Sequence, residues 1–252
     1  DPTFEQIQGG HSNLTFTVRD GSGRRWVLRR PPLGHVLATA HDMVREHRVI
    51  SALADSGVPV PAVVGLCEDT TVNGAPFYVM EFVDGIVVRD VATAAMLPIR
   101  VRERMGRSLV DVLVRLHSVD VDIVGLGDLS RRDGYIERQL KRWRTQFEQS
   151  TTRRVPRVLE VHKTLVARIP PQQGVGIVHG DYRIDNTIMT GDGEIAAVLD
   201  WELCTLGDVL SDVAAIVAYA DERASGDQPL PMSLEGFPSA EEVRSLYAAG
   251  SE

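Results

Sequence analysis

An aspartate followed five residues later by an asparagine, with a second aspartate fourteen positions beyond, can carry out metal-assisted phosphoryl transfer. Here these are Asp181 and Asn186, within His179-Gly180-Asp181-Tyr182-Arg183-Ile184-Asp185-Asn186, and Asp200, within Asp200-Trp201-Glu202. The transition state of phosphoryl transfer is loose and highly charged, so it needs cations on the phosphates and a carboxylate that orients the attacking hydroxyl. Asp181 follows a short apolar run and could take the proton of that hydroxyl. Asn186 and Asp200 offer hard oxygens suited to Mg2+ shared with nucleotide phosphates. Taken singly, each of these residues could equally be an ordinary turn or capping residue.

The elements that must position them follow from the hydrophobic pattern. Thr15 to Arg19 and Arg25 to Arg30 read as two strands joined by Asp20-Gly21-Ser22-Gly23, a hairpin. Apolar residues recur at helical spacing from His41 to Ala54, and Gly57 stops that helix. Val63 to Cys67 and Phe77 to Phe82 read as further strands, with a loop containing Asn73-Gly74 between them and Asp84-Gly85 ending the strand-rich part. Residues 98–117, 133–147 and 155–168 are helical in period, and Pro170-Pro171 terminates the third. Short strands at Ile177 to His179, Thr187 to Met189 and Ile195 to Leu199 leave the motif residues on loops. Ser211 to Ala220 reads as a buried helix, and Ser239-Ala240-Glu241-Glu242 is a capping box opening a last one.

Further parts upstream suit the same chemistry. Gly9-Gly10-His11-Ser12-Asn13 precedes the hairpin, and Gly10 and Ser12 are the loop positions assigned to the phosphates. The second strand ends in Arg29 and Arg30, either of which could clamp phosphate. Strand alternation puts Arg29 on the face of Val27 and favours it. Glu46, on the helix that follows, could hold that Arg by ion pairing, or could simply belong to a solvated face. Asp208 and Asp212 suit bracing of the next helix, and His179 suits a buttress of its loop.

Five motifs in order resemble the aminoglycoside phosphotransferase family, a branch of the kinase-like fold that also includes choline and fructosamine kinases. They are Gly-Gly-His-Ser-Asn at 9–13, Val-Leu-Arg-Arg-Pro-Pro at 27–32, Phe-Tyr-Val-Met-Glu-Phe at 77–82, the loop from His179 to Asn186, and Leu-Asp-Trp-Glu from Leu199. The resemblance covers nearly the whole chain. It implies an α+β, protein kinase-like two-lobed fold, with a nucleotide-binding lobe over residues 1–83 (an antiparallel sheet plus one helix) and a mainly helical catalytic and acceptor-binding lobe over residues 84–252. It implies ATP or GTP with Mg2+ as cofactors, Asp181 as base, Asn186 and Asp200 as metal ligands, and Glu81 to Val83 as the hinge whose backbone meets the base. The chain departs from many kinases in offering Arg, not Lys, on the third strand. The family continues with further helices, so the chain is expected to be a piece of something longer, incomplete on its acceptor side.

Composition narrows the alternatives. The chain has 252 residues, 43% hydrophobic and 25% charged, enough for one large domain or two lobes. A formal net charge of -8 opposes a nucleic-acid binder. Two distant cysteines, Cys67 and Cys204, suggest neither a disulfide framework nor a zinc site and point to the cytoplasm. No run is long and apolar enough to predict a membrane span. A protein kinase would need an activation segment, yet ten residues separate Asp200 from Ser211 and no Ala-Pro-Glu follows. A non-catalytic nucleotide-binding module is the rival of another class. The expected partner is therefore a small hydroxylated acceptor.

The charge is unevenly spread. Between Arg131 and Lys163 ten basic residues face four acidic ones, a net +6 that leaves -14 for the rest. This fits an anionic acceptor or, equally, a solvated helix face. Residues 27–32, 180–186 and 200–206 look most like the kinase domains fused to acyl-CoA dehydrogenases, which act on hydroxyacyl-CoA. That resemblance favours such a metabolite over an aminoglycoside antibiotic as acceptor.

Overall fold

Five strands form one antiparallel sheet in the computed structural model, which describes residues 1–7, 13–32, 42–221 and 229–251. They are β1 (Thr3–Gln6), β2 (Leu14–Arg19), β3 (Arg25–Arg30), β4 (Val63–Cys67) and β5 (Phe77–Glu81), in the order β1-β2-β3-β5-β4. The β2–β3 hairpin aligns Thr15 with Arg29 and Arg19 with Arg25. Its turn is closed by Asp20, whose carboxylate accepts the backbone N–H groups of Ser22 and Arg24 at 2.9 and 3.0 Å. Helix α1 (Met43–Leu53) crosses behind the sheet, capped by Asp42, whose side chain accepts from the Arg45 N–H. Its buried stripe is Met43, Val49, Ile50 and Leu53, with Glu46 buried among them.

The sequence-based reading places these elements within two or three residues of their ends. It misses β1, whose exposed Thr-Phe-Glu-Gln lacks a buried face. It also leaves as a loop the short helix α2 (Thr70–Asn73), which Asp69 caps at one end and Gly74 ends at φ 74°.

The remainder is mainly helical. α3 (Val91–Ala95) leads to α4 (Ile99–His117), the central helix, whose Met105, Leu109, Val112, Leu113 and Leu116 are fully buried. α5 (Tyr135–Ser150) and α6 (Pro156–Val166) form a hairpin at the periphery; α5 buries only Tyr135 and Leu140, and α6 buries no side chain fully. Two small sheets follow: β6 (Gly176–Val178) with β9 (Thr205–Gly207), and β7 (Thr187–Met189) with β8 (Ile195–Val198). β9 is three residues long and is legible only through its pairing with β6. α7 (Leu210–Ala220) buries one face, through Asp212, Val213, Ile216 and Ala220, so it is half-buried where the sequence suggests full burial. α8 (Ala240–Gly250) opens with the capping box expected at Ser239. The order of elements is the α+β arrangement implied by the motifs.

The two parts are stitched together at the β5 exit. Ile86 exchanges both backbone hydrogen bonds with Met189 of β7, at 2.7 and 2.8 Å. A Cβ on Gly85 would meet the Met189 carbonyl oxygen at 2.5 Å, so the chain passes here only as glycine.

Candidate active site

A cleft of about 660 Å3 lies between the sheet and the β7–β8 hairpin. Val27, Met80, Phe82, Val83, Ile188 and Val198 supply apolar walls, and Arg29, Asp181, Asn186 and Asp200 supply charge and polarity at one end. Flat apolar walls beside converging polar groups are what a base joined to a phosphate chain requires.

Asp181 stands on a loop that is held from three directions. Asp212 of α7, almost fully buried, accepts the backbone N–H groups of His179 at 2.7 Å and Gly180 at 3.0 Å. The His179 ring accepts the Asp181 N–H at Nδ1 (3.2 Å) and faces the Leu199 carbonyl with Nε2 (2.9 Å). A carbonyl can only accept, so Nε2 carries the proton and the ring is neutral. Tyr182 donates to the Leu109 carbonyl of α4 at 2.9 Å. Gly180 adopts φ 85°, and a Cβ there would press on Leu203 at 3.0 Å. His179 is thus the buttress expected from the sequence, whereas Asp212 braces the loop that carries Asp181 more directly than the helix it sits on.

Asn186 ends a 3-10 turn (Ile184–Asn186) leading into β7. Its amide nitrogen donates to the Asp181 carbonyl at 2.9 Å and to Asp181 Oδ2 at 2.8 Å, which turns its own oxygen away from Asp181. The Asn186 carbonyl accepts the Leu199 N–H at 2.8 Å, drawing the segment that carries Asp200 alongside. Asp200, at φ 65°, is the one described non-glycine residue with left-handed backbone, a conformation aspartate tolerates better than most.

Arg29 crosses the cleft. Its Nη2 lies 3.1 Å from Glu46 Oε1 and 3.0 Å from Asp200 Oδ1. Burial disfavours the charge of Arg29, but Glu46, Tyr78 and Asp200 outweigh it and hold the guanidinium above its ordinary range. Burial pushes the Glu46 carboxyl up, and Arg29 partly opposes this. The Tyr78 hydroxyl, fully buried beside them, is raised by the same desolvation. Arg30 points elsewhere: its Nε donates to the Pro31 carbonyl at 3.2 Å and its Nη1 to Asn73 Oδ1 at 2.5 Å. Of the two arginines only Arg29 enters the cleft.

Glu81 and Val83 both line the cleft at the β5 exit. The Glu81 N–H donates to the Ala62 carbonyl at 2.8 Å, so any base contact from Glu81 has to come through its carbonyl. Its side chain turns outward to Arg24 at 3.1 Å. Gly10 and Ser12 lie outside the described residues. Asn13, the last residue of that motif, donates to Glu202 Oε2 at 3.0 Å and so ties the start of β2 to the turn after Asp200.

A divalent metal fits this donor set only in a particular way. Among the described residues no cluster of three acidic, histidine or cysteine side chains could hold an ion alone. Asp200 and the outward oxygen of Asn186 are two hard donors, the number that suits Mg2+ bound jointly with phosphates.

Two functional-looking residues escape the motif reading. Glu202 is hidden within Asp-Trp-Glu, and Arg183 within the loop itself, where only its charge next to Asp181 could have drawn attention.

The model of a phosphotransferase enzyme family, APH, matches residues 3–246. The chain belongs to this family. It is 38% identical over 248 residues to mouse acyl-CoA dehydrogenase family member 10, covering 96% of the chain and 23% of that protein. It is 38% identical over 254 residues to chicken acyl-CoA dehydrogenase family member 11, covering 97% and 32%. The chain therefore spans about a quarter to a third of the length of these curated relatives. A Ralstonia eutropha crystal structure, described as a candidate aminoglycoside phosphotransferase, superposes with a TM-score of 0.80 at 34% identity, over 100% of this chain and 75% of that one. The streptomycin-ATP ternary complex of APH(2")-IIa shares the fold alone, at TM-score 0.65 and 15% identity, over 99% of this chain and 81% of that one. The architecture is thus protein kinase-like, with an antiparallel N-terminal sheet and a mainly helical remainder.

Proposed function

We propose that this chain transfers the γ-phosphate of ATP, or of GTP, to a hydroxyl of a small molecule. The observation that carries the reading is Arg29, held between Glu46 and Asp200 at the polar end of a cleft that also contains Asp181 and Asn186. Residues 1–83 act as the nucleotide-binding lobe and residues 84–252 as the catalytic and acceptor-binding lobe. The base lies against the apolar walls and meets the backbone at Glu81 and Val83, while Gly10, Ser12 and Arg29 serve the phosphates.

In this mechanism Asp181 orients the acceptor hydroxyl and takes its proton as the new bond to phosphorus forms. Asn186 keeps the Asp181 carboxylate aimed by donating to Oδ2. Asp212 and His179 hold the loop against recoil. Asn186 and Asp200 would hold Mg2+, which when bound neutralises charge on the phosphates. Arg29 remains cationic throughout and binds phosphate oxygens at the nucleotide side.

For the acceptor we favour an anionic, hydroxyacyl-CoA-like metabolite over an aminoglycoside. The named relatives are acyl-CoA dehydrogenase family members. The basic segment also supports it: Lys141, Arg142 and Arg144 are exposed along α5. A cationic antibiotic would prefer an acidic surface. The retained Asp181, Asn186 and Asp200 argue against a nucleotide-binding module without activity. Unpaired Cys67 and Cys204 suit a cytoplasmic site of action, and among the described residues no helix is long and apolar enough to cross a membrane.

The test is ATP consumption measured with a panel of hydroxylated acyl-CoA thioesters and a panel of aminoglycosides. Turnover with the thioesters is expected, and a clear preference for kanamycin would reject the anionic acceptor. No turnover with either panel, together with no nucleotide binding, would reject the kinase reading itself.

A further inference from the structure

The catalytic loop carries a cation that the mechanism above does not use. Arg183 lines the cleft, and its Nε lies 3.7 Å from Asp181 Oδ1, the oxygen not engaged by Asn186. Its Nη2 is ion-paired with Asp185 Oδ2, and its Nη1 donates to the Tyr219 hydroxyl at 3.4 Å. The guanidinium carbon also sits 5.7 Å from the centroid of the Tyr219 ring.

A simple charge neutraliser between Asp181 and Asp185 would need only the ion pairs. Here a third group, Tyr219 from α7, fixes the guanidinium plane, and Nε is left buried with no hydrogen-bond partner among the described residues. A buried donor without a partner calls for an explanation, and a ligand atom is one. Burial disfavours the Arg183 charge, but Tyr219, Asp185 and Asp181 together raise its pKa, so the cation persists.

We propose that Arg183 is a catalytic residue that donates to the transferring phosphoryl group on its acceptor side, with Tyr219 and Asp185 as positioning residues. This rests on the phosphotransfer reading. A hydroxyl hydrogen-bonded to Asp181 is also close to the Arg183 guanidinium, so the phosphorus that bonds to that oxygen brings its equatorial oxygens within the reach of Arg183. As the bond from the acceptor oxygen to phosphorus forms, the bond from phosphorus to the β–γ bridging oxygen breaks, and its electron pair leaves with the nucleoside diphosphate. The hydroxyl proton passes to Asp181. Arg183 exchanges no proton and supplies a donor already in place before charge develops.

The experiment titrates ADP with magnesium, in the presence and absence of aluminium fluoride, a planar mimic of the phosphoryl group. Aluminium fluoride should tighten ADP binding by the wild type. Arg183→Gln should bind ADP as the wild type does and lose on the order of 100-fold of that tightening, the size of one preorganised donor to a charged transition state. Arg183→Lys should keep part of it. Tyr219→Phe, with the charge intact, should lose a smaller part. Full tightening in Arg183→Gln would overturn the proposal. Should that variant not fold, unchanged tightening in both Arg183→Lys and Tyr219→Phe would do so. A wild type that binds ADP but gains nothing from aluminium fluoride overturns the proposal alone, whereas a wild type that binds no ADP overturns the phosphotransfer reading as well.

Discussion

Arg29 Nη2 lies 3.0 Å from Asp200 Oδ1, so a strand of the sheet and the turn after β8 meet through one ion pair. The same nitrogen is 3.1 Å from Glu46, which anchors it from the helix side. In the proposed reaction, phosphates entering the cleft meet a cation already in position. Removing it should cost the nucleotide a charge-assisted contact of about 1.5–3 kcal/mol, or about 10- to 100-fold in Kd. Arg29→Ala is expected to weaken ADP binding by that factor in a calorimetric titration, and Arg29→Lys by less. Unchanged affinity in Arg29→Ala would remove this residue from the phosphate site.

Asp181 and Asp200 should separate in their effects. Asp181→Asn is expected to lower kcat by at least about 100-fold while leaving nucleotide affinity largely intact, because in the proposed mechanism its carboxylate serves the acceptor. Asp200→Ala is expected to abolish magnesium-dependent turnover and to weaken nucleotide binding in the presence of magnesium. Steady-state kinetics paired with ADP titration reads the difference, and equal loss of nucleotide binding in both variants would refute it.

Much of this arrangement is legible in the amino-acid sequence. The β2–β3 hairpin follows from alternation around a Gly-rich turn, and α1 from helical period closed by Gly57. These two elements alone carry Arg29 and Glu46 to one another. The candidate catalytic loop is readable because Asp181 and Asn186 lie five residues apart between apolar runs. β9 is not, since three residues with one partner strand leave no period to detect. Nor is the Asn13 to Glu202 contact, which spans 189 residues. The same holds for Arg183 against Tyr219, where a loop cation meets a ring from a helix 36 residues later. Local pattern predicts elements, while contacts between distant elements depend on packing that one sequence does not display.

Asp212 illustrates the cost of losing such a contact. Its carboxylate is buried and accepts two backbone N–H groups of the loop that carries Asp181, at 2.7 and 3.0 Å. Asp212→Ala strands both donors, a loss of about 3 kcal/mol for two bonds to a charged group. For a chain of this size that corresponds to a fall in Tm on the order of 10 °C. Thermal unfolding followed by circular dichroism measures it. A fall of less than about 3 °C would show that the loop finds other partners.

The capping box at the start of α8 makes stability depend on acidity in a defined direction. Glu242 Oε2 accepts the Ser239 backbone N–H at 2.8 Å, and the Ser239 side chain accepts the Glu242 N–H at 3.3 Å. Hydrogen bonds from the Ser239 backbone, then from its side chain, lower the Glu242 pKa from its ordinary value of 4.5. A carboxyl lowered in the folded state stabilises above the unfolded pKa and loses that contribution as pH falls through the folded one. The wild type should therefore exceed Glu242→Gln in denaturant midpoint at pH 7, with the gap closing progressively below pH 4.5. Ser239→Ala should cost about 1 kcal/mol at neutral pH through loss of the N-cap acceptor. Urea unfolding at pH 7 and at about pH 3 distinguishes the two, and a Glu242→Gln gap of equal size at both values would mean that the ionised carboxylate contributes nothing to the cap.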